Sequence, residues 1–273
     1  MSLWRAILPF WQIGFPNMIR RRFLVRSGKV LGPTTIKIAY NKNNGNYEII
    51  HKNFSWVSDG RKSNITIRKK NKDGKYVNTV RSLQSAKNKQ TVFADNKITT
   101  TYSGFVAFGK KLPFSLVCTA EITSENTVEF SLKAENETDY DIQAVYFPAP
   151  FNSKKKGKSA YHIDSMRQGF IMPDGKLQNL IPAIGYTNIK RQINSGDAYM
   201  PVWGRVCDSH SFTAIVETPY DASMFSSLGK HGAFINSVYW LSSLGKLSYE
   251  RKLRFIFHEN GDYNTVAKDY RKY

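Results

Sequence analysis

The side chains able to do acid–base or metal chemistry are few and scattered. The five histidines are His51, His162, His210, His231 and His258. No two stand at metal-ligand spacing, and the two cysteines are far apart, so no zinc site is expected. The chain carries no G-x-S-x-G, no P-loop and no G-x-G-x-x-G, which removes the common nucleophile and nucleotide signatures, and no cofactor is expected. Carboxylate pairs remain as a route to glycoside chemistry, which needs two such groups roughly 5–9 Å apart around the scissile bond. Asp164, Asp208, Glu217 and Asp221 stand in apolar surroundings. Each also fits a turn or cap, the usual work of Asp in such places, and we assign none of them a catalytic role.

Aromatic residues offer a second chemistry. Sugars present apolar C–H faces, on which exposed Trp and Tyr can stack. Core packing is the first expectation for each such ring, and Trp203 and Trp240, each followed by polar or turn residues, are the most open to a surface role. Arg205, two positions after Trp203, can present a bidentate donor to a hydroxyl or carboxylate, or spend it on a solvent salt bridge. With Tyr220 and Asp221 these form the candidate carbohydrate-binding set: Trp203, Arg205, Tyr220, Asp221 and Trp240.

The elements that must position them are strands. Period-two alternation rich in Val, Ile, Thr, Tyr and Phe runs through 34–40, 46–56, 64–70, 97–104, 114–123, 127–136, 142–151, 211–218, 234–243 and 248–259. Asn, Gly, Asp and Lys clusters separate these runs, and Asp73-Gly74 suits a type I′ hairpin tip. So many antiparallel strands must form stacked sheets, because one twisted sheet of that width is rare. The expected fold is all-β, a large antiparallel β-sandwich spanning 1–260, with two stacked sheets. Helical periodicity is confined to 261–273 and a weak stretch near 80–88. In "GDYNTVAKDYRKY", Asp262 is placed to cap, and Tyr263, Val266, Ala267 and Tyr270 share one face. Tyr263 is expected to dock on the sandwich, with Tyr270 more loosely held.

Composition bounds the rest. With 273 residues, 41% hydrophobic and 14% aromatic, the chain can fill a large core. The 40 Lys and Arg against 21 Asp and Glu give a formal charge of +19, which raises polyanion binding as one alternative. The lysines, however, scatter through turn-like stretches such as "RKKNKDGK" and "NSKKKGKS", and no nucleic-acid-binding pattern accompanies them, so no specific nucleic-acid partner is expected. Cys118 and Cys207 lie in apolar strand-like runs and read as two buried thiols. The apolar stretch 6–19 is too short and too proline-broken to span a bilayer, and it reads as extended chain on a sheet surface or edge, with a peripheral membrane contact as the alternative. No signal peptide is visible. Three Asn-X-Ser/Thr triplets, at Asn53, Asn64 and Asn136, tilt the location toward secreted or cell-surface.

Four stretches in order carry a resemblance: "NETDYDIQAVYFPAPF" (136–151), "MRQGFIMPDG" (166–175), "YMPVWG" (199–204) and "FTAIVETPYDA" (212–222), ahead of "DYNTVAKDYRKY". Over roughly residues 100–273 the chain resembles the N-terminal β-supersandwich domain of large glycoside hydrolases of the endo-α-N-acetylgalactosaminidase-like group, a domain similar in fold to galactose mutarotase. The resemblance implies a galactose mutarotase-like sandwich in a carbohydrate-active setting. It also implies that 261–273 leads to a downstream catalytic domain holding the catalytic carboxylates. The alternative is a stand-alone sugar-acting enzyme of the aldose mutarotase or lyase type, although no histidine and carboxylate here match a mutarotase pattern. The motifs have physical roles of their own: Pro148 and Pro150 should end ladder pairing, and Gly204 should turn the backbone beside Trp203.

Overall fold

The computed structural model describes residues 30–33, 35–135, 141–154, 157–166, 169–174, 188–192, 198–228 and 234–273. The expectations for 6–19, Asn136 and His231 lie outside these residues. Alternating strands build the expected antiparallel architecture. A nine-stranded sheet runs in the order Phe170–Pro173, Ala160–Met166, Ala198–Cys207, His210–Val216, Arg251–Glu259, Thr127–Glu135, Ser115–Ser124, Lys97–Ser103 and Asn88–Phe93. The opposing layer is divided, where a single sheet was expected. A six-stranded sheet includes Asn64–Lys70, Asp141–Tyr146, Ala222–Leu228 and Phe234–Leu241, and a five-stranded sheet includes Ile36–Asn41, Asn46–His51, Phe54–Ser58 and Phe151–Ser153.

The proline run explains the division. The strand Asp141–Tyr146 leaves the six-stranded sheet, and after Pro148 and Pro150 the chain re-pairs as Phe151–Ser153 with Phe54–Ser58. Proline gives no ladder donor, so pairing has to stop there. The hairpin at "KDGK" forms as expected, but only Gly74 has positive φ, so it is not the type I′ turn. The Asn71 side chain instead accepts from the amides of Asp73 and Lys75 and closes a wider loop. The weak helical stretch is one 3-10 turn, Leu83–Ser85, capped by Ser82.

Both opposing sheets face the same side of the nine-stranded sheet. Trp56 of the five-stranded sheet packs edge-on against Phe212 at 4.9 Å. Met224 and Val238 of the six-stranded sheet join the same buried cluster. Phe255 lies at its centre, with Phe130, Phe151, Trp203, Phe212 and Phe257 around it at 5.2–6.2 Å. Each such ring contributes on the order of 1.5–3 kcal/mol by leaving water. Cys118 and Cys207 are free and buried within the core, as expected, and burial pushes both thiols up.

One helix, α1 (Tyr263–Lys272), follows the last strand. Asp262 accepts from the Thr265 amide while the Thr265 hydroxyl accepts from the Asp262 amide, a capping box that satisfies two end donors. The docking differs from expectation. Tyr263 is 48% exposed, and Val266 and Asp269 are the buried residues of the helix. Val266 sits against Ile163 and Val206 on the outer face of the nine-stranded sheet. Gly204 has the role the sequence misread. It lies mid-strand, and a Cβ there would come within 2.7 Å of a Val266 methyl, so its bare backbone admits the helix where a turn was expected.

Candidate functional site

The candidate sugar-binding residues separate in space. Trp203 and Arg205 occur at alternate positions of Ala198–Cys207 and point inward. Trp203 packs on Phe255, which is core packing and removes the surface role left open for it. Trp240 belongs to the six-stranded sheet, is 1% exposed, and donates its indole N–H to the Phe147 carbonyl at 2.7 Å. Buried rings of this size supply core area, and the polar residues after them reflect strand alternation. Arg205 spends its fork on Asp174, with Nη1 to Oδ1 at 2.6 Å. Tyr220 is 82% exposed in the turn between the two large sheets. Its neighbour Asp221 accepts from the Tyr249 hydroxyl at 2.8 Å and from buried Arg251 at 3.2 Å. Of the five, only Tyr220 is free to meet a ligand from solvent.

The other carboxylates also resolve. Asp208 has φ 53 and accepts from the amides of Lys158 and Ser159, the work of a turn residue. Asp164 is fully buried and accepts from Ser226 and Asn236 across the sandwich. It ties the two large sheets together at the level of Trp203.

Glu217 has a different setting, which the outer face of the nine-stranded sheet provides. Strand alternation turns Lys252, Arg254 and His258 away from the core. On one flank Glu129 pairs with Lys252 at 2.9 Å, and on the other Glu217 meets Arg254 at 2.5 Å. Arg254 also reaches Glu129 at 3.7 Å, so the two carboxyls share one cation. Burial raises the Glu217 carboxyl above its ordinary range, and the charge of Glu129 adds to that. Burial acts on Glu129 the same way, but the Lys252 hydrogen bond and charge outweigh it and leave that carboxyl lowered. Two neighbouring carboxyls whose surroundings push them in opposite directions are the arrangement general acid–base chemistry uses. Glu129 was missed in sequence because its alternating strand "TVEFSLKAE" gives no sign of which charges lie across from it.

Alongside, a cavity of about 550 Å³ opens between α1 and the edge of the same sheet. Tyr263, Ala267 and Tyr270 form one wall, and Ile163, Ile171 and Met200 the other. Ile171 is 51% exposed. The helix's apolar stripe is thus pinned at Val266 and left open beside it.

No family model matches the chain, and no curated protein matches it in sequence. Solved structures do match its fold. The α-N-acetylgalactosaminidase NagBb from Bifidobacterium bifidum, in its GalNAc complex, superimposes over 90% of this chain with a TM-score of 0.71 and 18% identity. This chain spans 38% of that glycosidase's length. A galactose 1-epimerase from Lactobacillus acidophilus superimposes over 86% with a TM-score of 0.59 and 9% identity, covering 95% of that chain. A galactose mutarotase-like protein from Lactobacillus casei gives 85% and 0.55 at 13% identity, covering 99% of that chain. The nine-stranded sheet, its divided opposing layer and these superpositions together show a galactose mutarotase-like β-sandwich fold.

Proposed function

We propose that this chain is a carbohydrate-associated β-sandwich, itself non-catalytic, that serves as an accessory domain to a glycosidase catalytic domain. The observation that carries the reading is the superposition on NagBb: nearly all of this chain matches little more than a third of a glycosidase. The open groove beside α1, with Tyr263, Ile171 and Met200 facing solvent, supplies an apolar surface of the kind a neighbouring domain covers. The test is a panel of aryl glycosides incubated with the chain alone. No turnover is expected, and turnover that Glu217→Gln or Asp221→Asn abolishes would refute the reading.

A second reading has an observation of its own. The Glu129 and Glu217 pair offers a base and an acid 2.9 Å and 2.5 Å from cationic partners, and the two Lactobacillus proteins match over nearly their full lengths. That favours a stand-alone enzyme interconverting sugar anomers, in which Glu129 accepts a hydroxyl proton and Glu217 supplies one. Both carboxyls are already held by Lys252 and Arg254, and neither lines the groove, so the accessory reading is preferred.

A further inference from the structure

At the end of the sandwich remote from the proline run, a second cavity of about 420 Å³ has a different character. His51, Lys52, Glu125, Asn126, His258 and Glu259 line it, with Asn260 at the rim. His51 is only 4% exposed and its Nδ1 has no hydrogen-bond partner. An imidazole so placed goes unsatisfied at a cost of about 1–3 kcal/mol unless something binds it. Burial, then the Lys52 charge, push the His51 imidazole down, which keeps it neutral and able both to donate and to accept. The His258 ring itself turns to the outer face, where it is fixed by Asp269, whose carboxylate also takes the Thr213 hydroxyl. Lys52 and Asn260 hold the rim in left-handed backbone, at φ 43 and 59.

The lining selects a ligand class. Carboxylates at Glu125 and Glu259 oppose an anion. Lys52, paired with Glu259 at 3.2 Å, opposes a cation, and among the described residues no three His, Cys, Asp or Glu side chains converge to hold a metal. The walls are too polar for an apolar guest. What remains is a neutral molecule that donates and accepts at several points. We propose that this pocket binds a single sugar ring through its hydroxyls, contacting His51, Glu125 and Asn260. The proposal rests on the carbohydrate-associated reading above and adds a site to it. The volume falls in the range of small-ligand pockets and suits a monosaccharide rather than an extended glycan.

The test is an NMR titration of the chain, following the histidine imidazole and tyrosine ring signals, with galactose, N-acetylgalactosamine and glucose as probes and inorganic phosphate and Zn²⁺ as controls. At least one sugar should shift the His51 ring saturably. Asn260→Gly, which suits the left-handed backbone and removes the amide, and Glu125→Ala, in an exposed turn, should each weaken binding about tenfold. Sugar-induced shifts confined to Tyr263 and Tyr270 would overturn the pocket and leave the carbohydrate reading standing. No response to any sugar would overturn the pocket and leave the accessory reading to its own test. A response to phosphate or Zn²⁺ alone, or sugar binding untouched by both variants, would also overturn the pocket.

Discussion

His258 Nε2 lies 2.7 Å from Asp269 Oδ2, and the Thr213 hydroxyl donates to the same oxygen at 2.6 Å. His258 and Thr213 belong to paired neighbouring strands, so one carboxylate from α1 is held by two strands at once. Together with Val266 this sets where the helix lies. Replacing Asp269 by Ala should therefore lower stability by about 1–3 kcal/mol, read from the denaturant midpoint. Amide exchange in Val266–Lys272 should quicken more than elsewhere. Tyr270→Ala, on the open groove wall, should have the smaller effect.

Gly204 and Val266 should be coupled. Gly204→Ala forces a Cβ against the Val266 methyls and should cost about 1–3 kcal/mol. Val266→Ala should cost roughly 2 kcal/mol from lost apolar burial. The double variant should be clearly more stable than the sum of the two losses predicts, because the second substitution makes room for the first. Thermal or urea unfolding of all four proteins checks this.

The outer-face carboxyls should separate by pH. Glu129, held low, stabilises the fold above the ordinary Glu range, and that contribution is lost as pH falls through its lowered value. Glu217, held high, favours the fold while protonated, and that contribution is lost as pH rises through its raised value. Glu217→Gln should therefore gain on the native chain as pH rises from about 4 to 7. Glu129→Gln should lose most near neutrality, and its deficit should shrink toward about pH 3. Urea denaturation across that range decides it, and parallel curves for the two variants would count against the opposite shifts.

Much of the fold was legible because period-two alternation reports burial directly. Asn64–Lys70 occupies the stretch its pattern marked, and the Asp262 cap formed as read. The hairpin strand Tyr76–Ser82 was not legible, since it is mostly exposed and its "YVNTVRS" shows no apolar face. The candidate site was far less legible. For Trp203 and Trp240 the sequence left core and surface both open, because a ring's surroundings come from strands distant in sequence. The Glu129–Glu217 pair joins residues 88 positions apart across an intervening strand, a relation no spacing rule encodes.

The ion pair at the sandwich end should prove costly to break from one side. Arg205 is 1% exposed and depends on Asp174 for its charge balance. Asp174→Ala should cost about 3–5 kcal/mol by leaving a buried guanidinium uncompensated. Adding Arg205→Met should recover most of that loss, which equilibrium unfolding will show.

The most direct measurement of the accessory reading is polarimetry of freshly dissolved α-D-galactose with the isolated chain. The account predicts that rotation relaxes at the uncatalysed rate, equally with the native chain and with Glu217→Gln. Acceleration by the native chain that disappears in Glu217→Gln and Glu129→Gln would contradict it and identify the carboxyl pair as the active site of a sugar-acting enzyme.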